Sequence, residues 1–145
     1  MLDHLDRRIV AALAANSRMS LKELAGRVRL SSPSVSERLR RLVEDNIIDA
    51  FTIRIAPKAM GYSLEAVVHI KPLPGKLQIV ERMIRETPEI VECDKITGDD
   101  CFIARLCARS MEQIDQILDR ISDRAETRTS LVKSHTVKRR LPPFA

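Results

Sequence analysis

Seven basic side chains crowd residues 18–41: Arg18, Lys22, Arg27, Arg29, Arg38, Arg40 and Arg41, opposed only by Glu23 and Glu37. A local excess of five positive charges suits a polyphosphate, because every cation that meets a phosphate releases a condensed counterion. The same run is also the ordinary make-up of a solvated face, so charge alone does not decide. A second dense cluster is Gly98, Asp99, Asp100 and Cys101. Gly98 lets the backbone bend so that amides become available to a carboxylate, and an aspartate attracts an ammonium group. The bland reading of that cluster is a tight strand connection with solvated aspartates. Catalysis finds no support, since acid, base and nucleophile must converge. Adjacent residues on a turn point apart, and no histidine lies nearby.

The other reactive side chains are scattered. Cys93, Cys101 and Cys107 are odd in number and lack CxxC spacing, which argues against a disulfide framework and a zinc ribbon. His4, His69 and His135 are far apart, so a metal site would require the fold to gather them. No phosphate-cradling glycine-rich loop is present. The expectation is no metal and no cofactor.

The elements that position the basic run are three short helices. Leu5, Ile9, Val10, Leu13 and Ala14 recur at helical spacing over residues 3–15. Asn16 to Arg18 forms a polar break. Ser20 with Glu23 makes a capping box for a second, very short helix, whose buried stripe is Leu21, Leu24, Ala25 and Val28. A third helix starts at once, with Ser32 as the expected N-cap and Pro33 in its first position. Val35, Leu39, Leu42 and Val43 supply its apolar face, and Asn46 fits a left-handed C-terminal cap.

Two short helices joined by a tight turn make a helix-turn-helix. With Val35 buried, Ser34, Glu37 and Arg41 lie on the far side, flanked by Ser36, Arg38 and Arg40. The small hydroxyls of Ser32, Ser34 and Ser36 let the first turn approach a groove floor. The positive helix end and the arginines suit phosphates and guanine edges. Arg18 and Arg29 add charge beside this surface. The predicted partner is double-stranded DNA. Residues 47–55 then alternate in β-branched fashion and read as a strand or two-stranded wing.

The second half reads β-α-β-β-α-β. Strands are expected over 64–71, 90–97, 101–108 and about 127–137, with helices over 76–87 and from Ser110. Leu77, Val80, Met83 and Ile84 are the expected inward stripe of the first helix. Met111, Ile114, Ile117, Leu118 and Ile121 are that of the second, with Ser110 and Gln113 as its capping box. This order gives an α+β, ferredoxin-like antiparallel sheet with both helices on one face. The other face, with Cys101, Ile103, Arg105 and Cys107, is then bare, and its apolar content calls for a partner, most economically a two-fold copy of itself. The expected domains are 1–58, a winged helix-turn-helix, 62–138, the ferredoxin-like domain, and a basic tail, 139–145.

Composition agrees with this division. The 145 residues carry a net charge of +5, and 44% hydrophobic content provides a core that must be aliphatic, because aromatics are only 3%. Residues 1–60 hold a net +4 and residues 61–145 a net +1. No apolar run reaches membrane-spanning length and no secretory signal is visible, so a cytoplasmic location is expected.

The residues together resemble the leucine-responsive regulator/AsnC family, the feast-or-famine regulators. The resemblance rests on residues 5–9, 16–18, Glu23 to Ala25, Leu30 with Ser31, Val35, Arg38 with Leu39, Arg41 with Leu42, and Ile47 with Ile48. In the second half it rests on Thr97 to Asp100 and on Arg128 with Thr129. It implies a transcription regulator, not an enzyme, whose dimers form through the C-terminal sheet and often assemble into octamers or other rings. It also implies an amino-acid effector near Gly98, Asp99 and Asp100 where dimers meet, with hydroxyls of Thr129 and Ser130 or Ser134 close by. Departures from the family pattern are Asn46 for a usual Gly, Arg29 for a small residue, and Cys101 where many members carry Asp. Two other readings remain open on the residues alone: a small-molecule-binding or enzymatic α/β domain with an incidental helical cap, and a passive architectural DNA protein without an effector.

Overall fold

The computed structural model describes residues 2–144. The chain divides into two compact units, Met1–Arg54 together with Val137–Ala145, and Ile55–Thr136.

The first unit holds three helices, α1 (His4–Ala15), α2 (Leu21–Val28) and α3 (Ser32–Glu44). Each begins at a side chain that satisfies an otherwise orphaned amide. Asp3 and Asp6 form a reciprocal capping box on α1, and Ser20 and Glu23 form the expected one on α2. The cap of α3 is Ser31, one residue before the expected Ser32; its hydroxyl accepts from the Ser34 amide at 3.3 Å. Pro33 therefore falls in the second helical position, where it still removes no needed donor.

Both helix ends turn through the left-handed region. Arg29 closes α2 with φ 60°, and Asn46 follows α3 with φ 55°. After α3, the Ile47 amide donates to Leu42 and the Asn46 amide to Val43, at 2.9 and 3.0 Å, which satisfies the last carbonyls in the Schellman pattern. Ile9, Ala12, Leu13, Leu24, Ala25, Val28, Val35 and Leu42 form one buried cluster among the three helices. Leu21 and Val43, expected in it, are 43% exposed. A strand over 47–55 does not form: residues 49–56 lie in no ladder, and Phe51, Ile53 and Ile55 are exposed. Alternation makes a segment suited to a sheet, but a strand needs a neighbouring strand to bond its backbone.

The second unit opens with a 3-10 turn, Pro57–Met60, closed by Gly61 at φ 88°. It continues β1 (Leu64–Pro72), α4 (Leu77–Arg85), β2 (Ile90–Lys95), β3 (Phe102–Ala108), α5 (Met111–Asp119) and β4 (Ala125–Leu131). The strands lie in the order β2-β3-β1-β4, all pairs antiparallel, as the ferredoxin-like reading requires. Ala66, Val68 and Ile70 of β1, with Phe102, Ala104, Leu106 and Ala108 of β3, face Val80 and Ile84 of α4 and Ile114, Ile117 and Ile121. Leu77 and Met111 open their helices and stay exposed.

Four details of this unit differ from the sequence reading. The last strand runs earlier than 127–137, so Ser134 lies outside any strand. Gln113 reaches back to the Arg109 amide at 2.8 Å rather than to Ser110, so the α5 box is completed one residue upstream. Cys101 precedes β3 and packs against the helix-side core, because strand alternation does not extend to it. The opposite sheet face is mixed, and Cys107, expected bare on it, is buried. Val67 and Ile103 are set there among the pairs Glu65–His135, Glu92–Arg105 and Asp100–His69, at 3.2, 3.7 and 3.0 Å.

Candidate functional site

The α2–α3 turn brings the basic run onto one unit but does not leave every arginine free. Arg38 was expected on the outer surface; it turns to α1 instead. Its Nη1 donates to Asp3 at 2.6 Å and to Asp6 at 2.7 Å, with the side chain only 21% exposed. The helical wheel explains this: Arg38 flanks the buried stripe of Val35 and Leu42, on the side that α1 covers. The amide of Asp6 and the guanidinium of Arg38 hold the Asp3 carboxyl down at about 2. Arg40 is exposed but bridges Glu37, at 2.6 Å, and Glu44, one turn either side along α3. Those carboxylates raise the Arg40 guanidinium further above its usual range, and Arg40 in turn lowers Glu37.

Among the described residues, Arg18, Arg29 and Arg41 have no carboxylate within ion-pair distance. Nor do Lys22 and Arg27, and these five cations can meet an anion without first breaking a pair. At the start of α3, Ser32, Ser34 and Ser36 are exposed. The Ser34 hydroxyl lies 2.8 Å from that of Ser31, so Ser32 and Ser36 are the less committed pair. Neither Asp3 nor Asp6 was singled out by the sequence reading as an arginine partner. Their D-x-x-D spacing at the start of α1 was the available signal.

The second cluster sits in the β2–β3 connection. Gly98 adopts φ 113°, a region that side chains avoid, and Thr97, Gly98 and Asp99 are exposed. Asp100 is half-buried and anchored on the outer sheet face. Its Oδ2 lies 3.0 Å from His69 Nδ1 and accepts from Arg128 at 3.0 Å. His69 and Arg128 face one another across β1 and β4, so the sheet register supplies this cluster. The sequence reading placed no histidine near this turn, which His69 corrects, and it gave Arg128 no role there; strand pairing brings both to Asp100 across long sequence separations.

The structure separates the expected hydroxyls. Ser130 pairs with Val67 and shares the face of Arg128, whereas Thr129 pairs with Val68 and points to the helix side. Ser134 lies beyond β4 and is exposed. Among the described residues no group of three His, Cys, Asp or Glu side chains is placed to hold a metal ion. No helix among them is long and apolar enough to cross a membrane.

A tight helix-turn-helix with unpaired cations, followed by a ferredoxin-like sheet with an open glycine turn, defines a class: DNA-binding regulators with a ligand-binding domain. Comparison with known proteins agrees. Residues 2–49 match the winged helix-turn-helix DNA-binding family model, and residues 65–142 match the Lrp/AsnC ligand binding domain. The chain belongs to the Lrp/AsnC family of transcription regulators, which are not enzymes.

Similar relatives include the transcriptional regulator LrpC of Bacillus subtilis, 30% identical with 92% of each chain covered. LrpA of Mycobacterium tuberculosis is 33% identical, covering 88% of this chain and 86% of its own. The structure of B. subtilis LrpC superposes with a TM-score of 0.90 at 29% identity, covering 96% of this chain and 99% of that one. A feast or famine regulatory protein from M. tuberculosis, complexed with L-methionine, gives a TM-score of 0.89 at 30% identity, covering 98% and 99%.

Proposed function

We propose that this DNA-binding regulator reads a specific duplex sequence through the first turns of α3 and responds to an amino acid held at the Gly98–Asp100 turn. The observation that carries the reading is the pair of exposed polar surfaces on one chain. One is the outer surface of the helix-turn-helix, with Ser32 and Ser36 in the first turns of α3, Arg41 in its last turn, Arg29 in the α2–α3 turn and Arg18 before α2. The other is an exposed left-handed glycine next to an anchored carboxylate. Free amides and Asp100 offer partners for both ends of an α-amino acid. The relative complexed with L-methionine supports the ligand class.

The turn is too open to enclose a ligand alone, since small-molecule sites bury most of their ligand's surface. A second copy of the chain completes the site in this reading, as a dimer or a higher ring such as an octamer. Ligand binding then favours one assembly over another by its differential affinity and so alters DNA occupancy. Two linked copies also present two recognition helices to a two-fold site.

The test is titration calorimetry of the full chain with L-methionine and the other common amino acids, repeated on Asp100→Asn and on a Gly98 variant. Binding to the wild type that weakens in both variants is the expected result. If no amino acid binds the wild type, or if both variants bind unchanged, the effector site is wrong. Sequence specificity is tested apart from this, by competition between a selected duplex and mixed-sequence DNA at fixed salt.

A further inference from the structure

The two units differ sharply in charge, and the difference has an unexpected source. Residues 55–136 hold 12 Lys and Arg against 13 Asp and Glu, a net of −1. The helical unit, residues 1–54 with 137–145, holds 13 against 7, a net of +6. Half of that excess comes from three consecutive residues, Lys138, Arg139 and Arg140. They are distant in sequence from the helix-turn-helix yet belong to its compact unit. Without them the unit would carry +3, and Arg38 and Arg40 are already held by four carboxylates.

The three side chains are exposed, and none has a carboxylate within 4 Å among the described residues. Residues 132–144 form no helix or strand, and Pro142 with Pro143 favours an extended path. Extended, solvated cations can follow a phosphate backbone without breaking any internal bond.

We infer that Lys138, Arg139 and Arg140 form a second DNA contact of the helical unit, binding phosphates of the duplex without reading its sequence. This rests on the DNA-binding activity of the chain. A phosphate contact of this kind positions the protein and adds affinity equally for all sequences, while α3 supplies discrimination. Each phosphate neutralised contributes roughly 0.9 to the slope of log affinity against log salt.

The experiment measures binding of the full chain to a mixed-sequence duplex of about 30 base pairs across salt concentrations. The triple variant Lys138→Ala, Arg139→Ala, Arg140→Ala is compared with a charge-keeping variant, Lys138→Arg, Arg139→Lys, Arg140→Lys. Sedimentation and thermal melting check that both keep the wild-type assembly and fold. The alanine variant is expected to lose between about 1 and 3 units of slope per copy. Its loss of affinity from about 50 to 200 mM salt should shrink by roughly 3-fold per contact removed. The charge-keeping variant should match the wild type, and discrimination between duplexes should persist. An alanine variant with wild-type slope and affinity overturns the inference and leaves DNA binding by α3 standing. So does binding of the trio to anionic lipid vesicles with the duplex slope unchanged. If the wild type itself binds no duplex, the DNA reading fails, and this inference with it.

Discussion

A guanidinium already bonded to two carboxylates is a poor phosphate ligand, because contact with DNA must first break those bonds. Arg38 is in this position, clamped to Asp3 and Asp6, and its role is to fix α3 against α1. Arg38→Met should lower the melting temperature of the helical unit by a few degrees, since it leaves two carboxylates facing each other without a cation. It should leave the salt slope of DNA binding unchanged. A reduced slope with wild-type stability would place Arg38 on phosphate instead.

The Asp6 amide, together with this clamp, predicts acid sensitivity at Asp3. Asp3 is held at about 2 against an ordinary value of 3.8. A depressed carboxyl stabilises the fold fully above its unfolded value and loses that contribution as pH falls through the folded one. Wild-type stability should therefore drop between about pH 4 and pH 2, and Asp3→Asn should flatten that part of the profile.

Arg29 is the opposite case, a free cation kept in an unfavourable backbone. At φ 60° a side chain costs about 1 kcal/mol relative to glycine. Arg29→Gly should raise unfolding stability by up to about 1 kcal/mol and weaken DNA binding at low salt. A variant that gains stability and loses no affinity would show that Arg29 does not meet the duplex.

At the scale of elements, the cap of α3 separates structure from contact. Ser31 holds the Ser34 amide, whereas the Ser32 side chain has no hydrogen-bond partner among the described residues. Ser31→Ala should cost about 1 kcal/mol by chemical denaturation. Ser32→Ala should be nearly neutral in stability and affect DNA affinity alone; the reverse pattern would return the cap to Ser32. The sheet shows a related division. Its two central strands, β1 and β3, carry the core, while the edge strands β2 and β4 are mostly exposed on both faces. Edge residues are thus available for contacts that the central strands cannot make, which is where Arg128 and Ser130 lie.

For the whole molecule, the proposed function ties the effector site at Gly98 to assembly of copies of the chain. An added Cβ at Gly98 meets nothing within 4 Å in one chain, so crowding inside the chain does not oppose substitution. The cost is backbone strain at φ 113°, together with whatever a second copy places there. Gly98→Val should change the oligomer distribution in sedimentation and the amino-acid response. The three-helix unit should keep its own melting transition and its salt-dependent DNA binding. Unchanged sedimentation and an unchanged ligand response would remove the turn from any interface.

Local chemistry made much of this fold readable from the residues in order. Capping residues marked α2 and α5, helical spacing found the buried stripes, the β-α-β-β-α-β order led to the sheet topology, and the ordered residue motifs from Leu5 to Thr129 led to the family. These signals are short-range, carried by amides and side chains within a few positions. The last residue of β4, the one-residue shift of the α3 cap and the unpaired 49–56 segment were less legible, because each depends on which partner a backbone group finds. The chemistry of the sites was decided further still by tertiary structure. Asp3 and Arg38 stand 35 positions apart, and Asp100 and Arg128 stand 28 apart. Only folding determines that one arginine is consumed as a brace, that Asp100 gains His69 and Arg128, and that Lys138 to Arg140 join the helical unit. Electrostatic partners are set by distance in space, and sequence spacing beyond a turn or two of helix does not encode that distance.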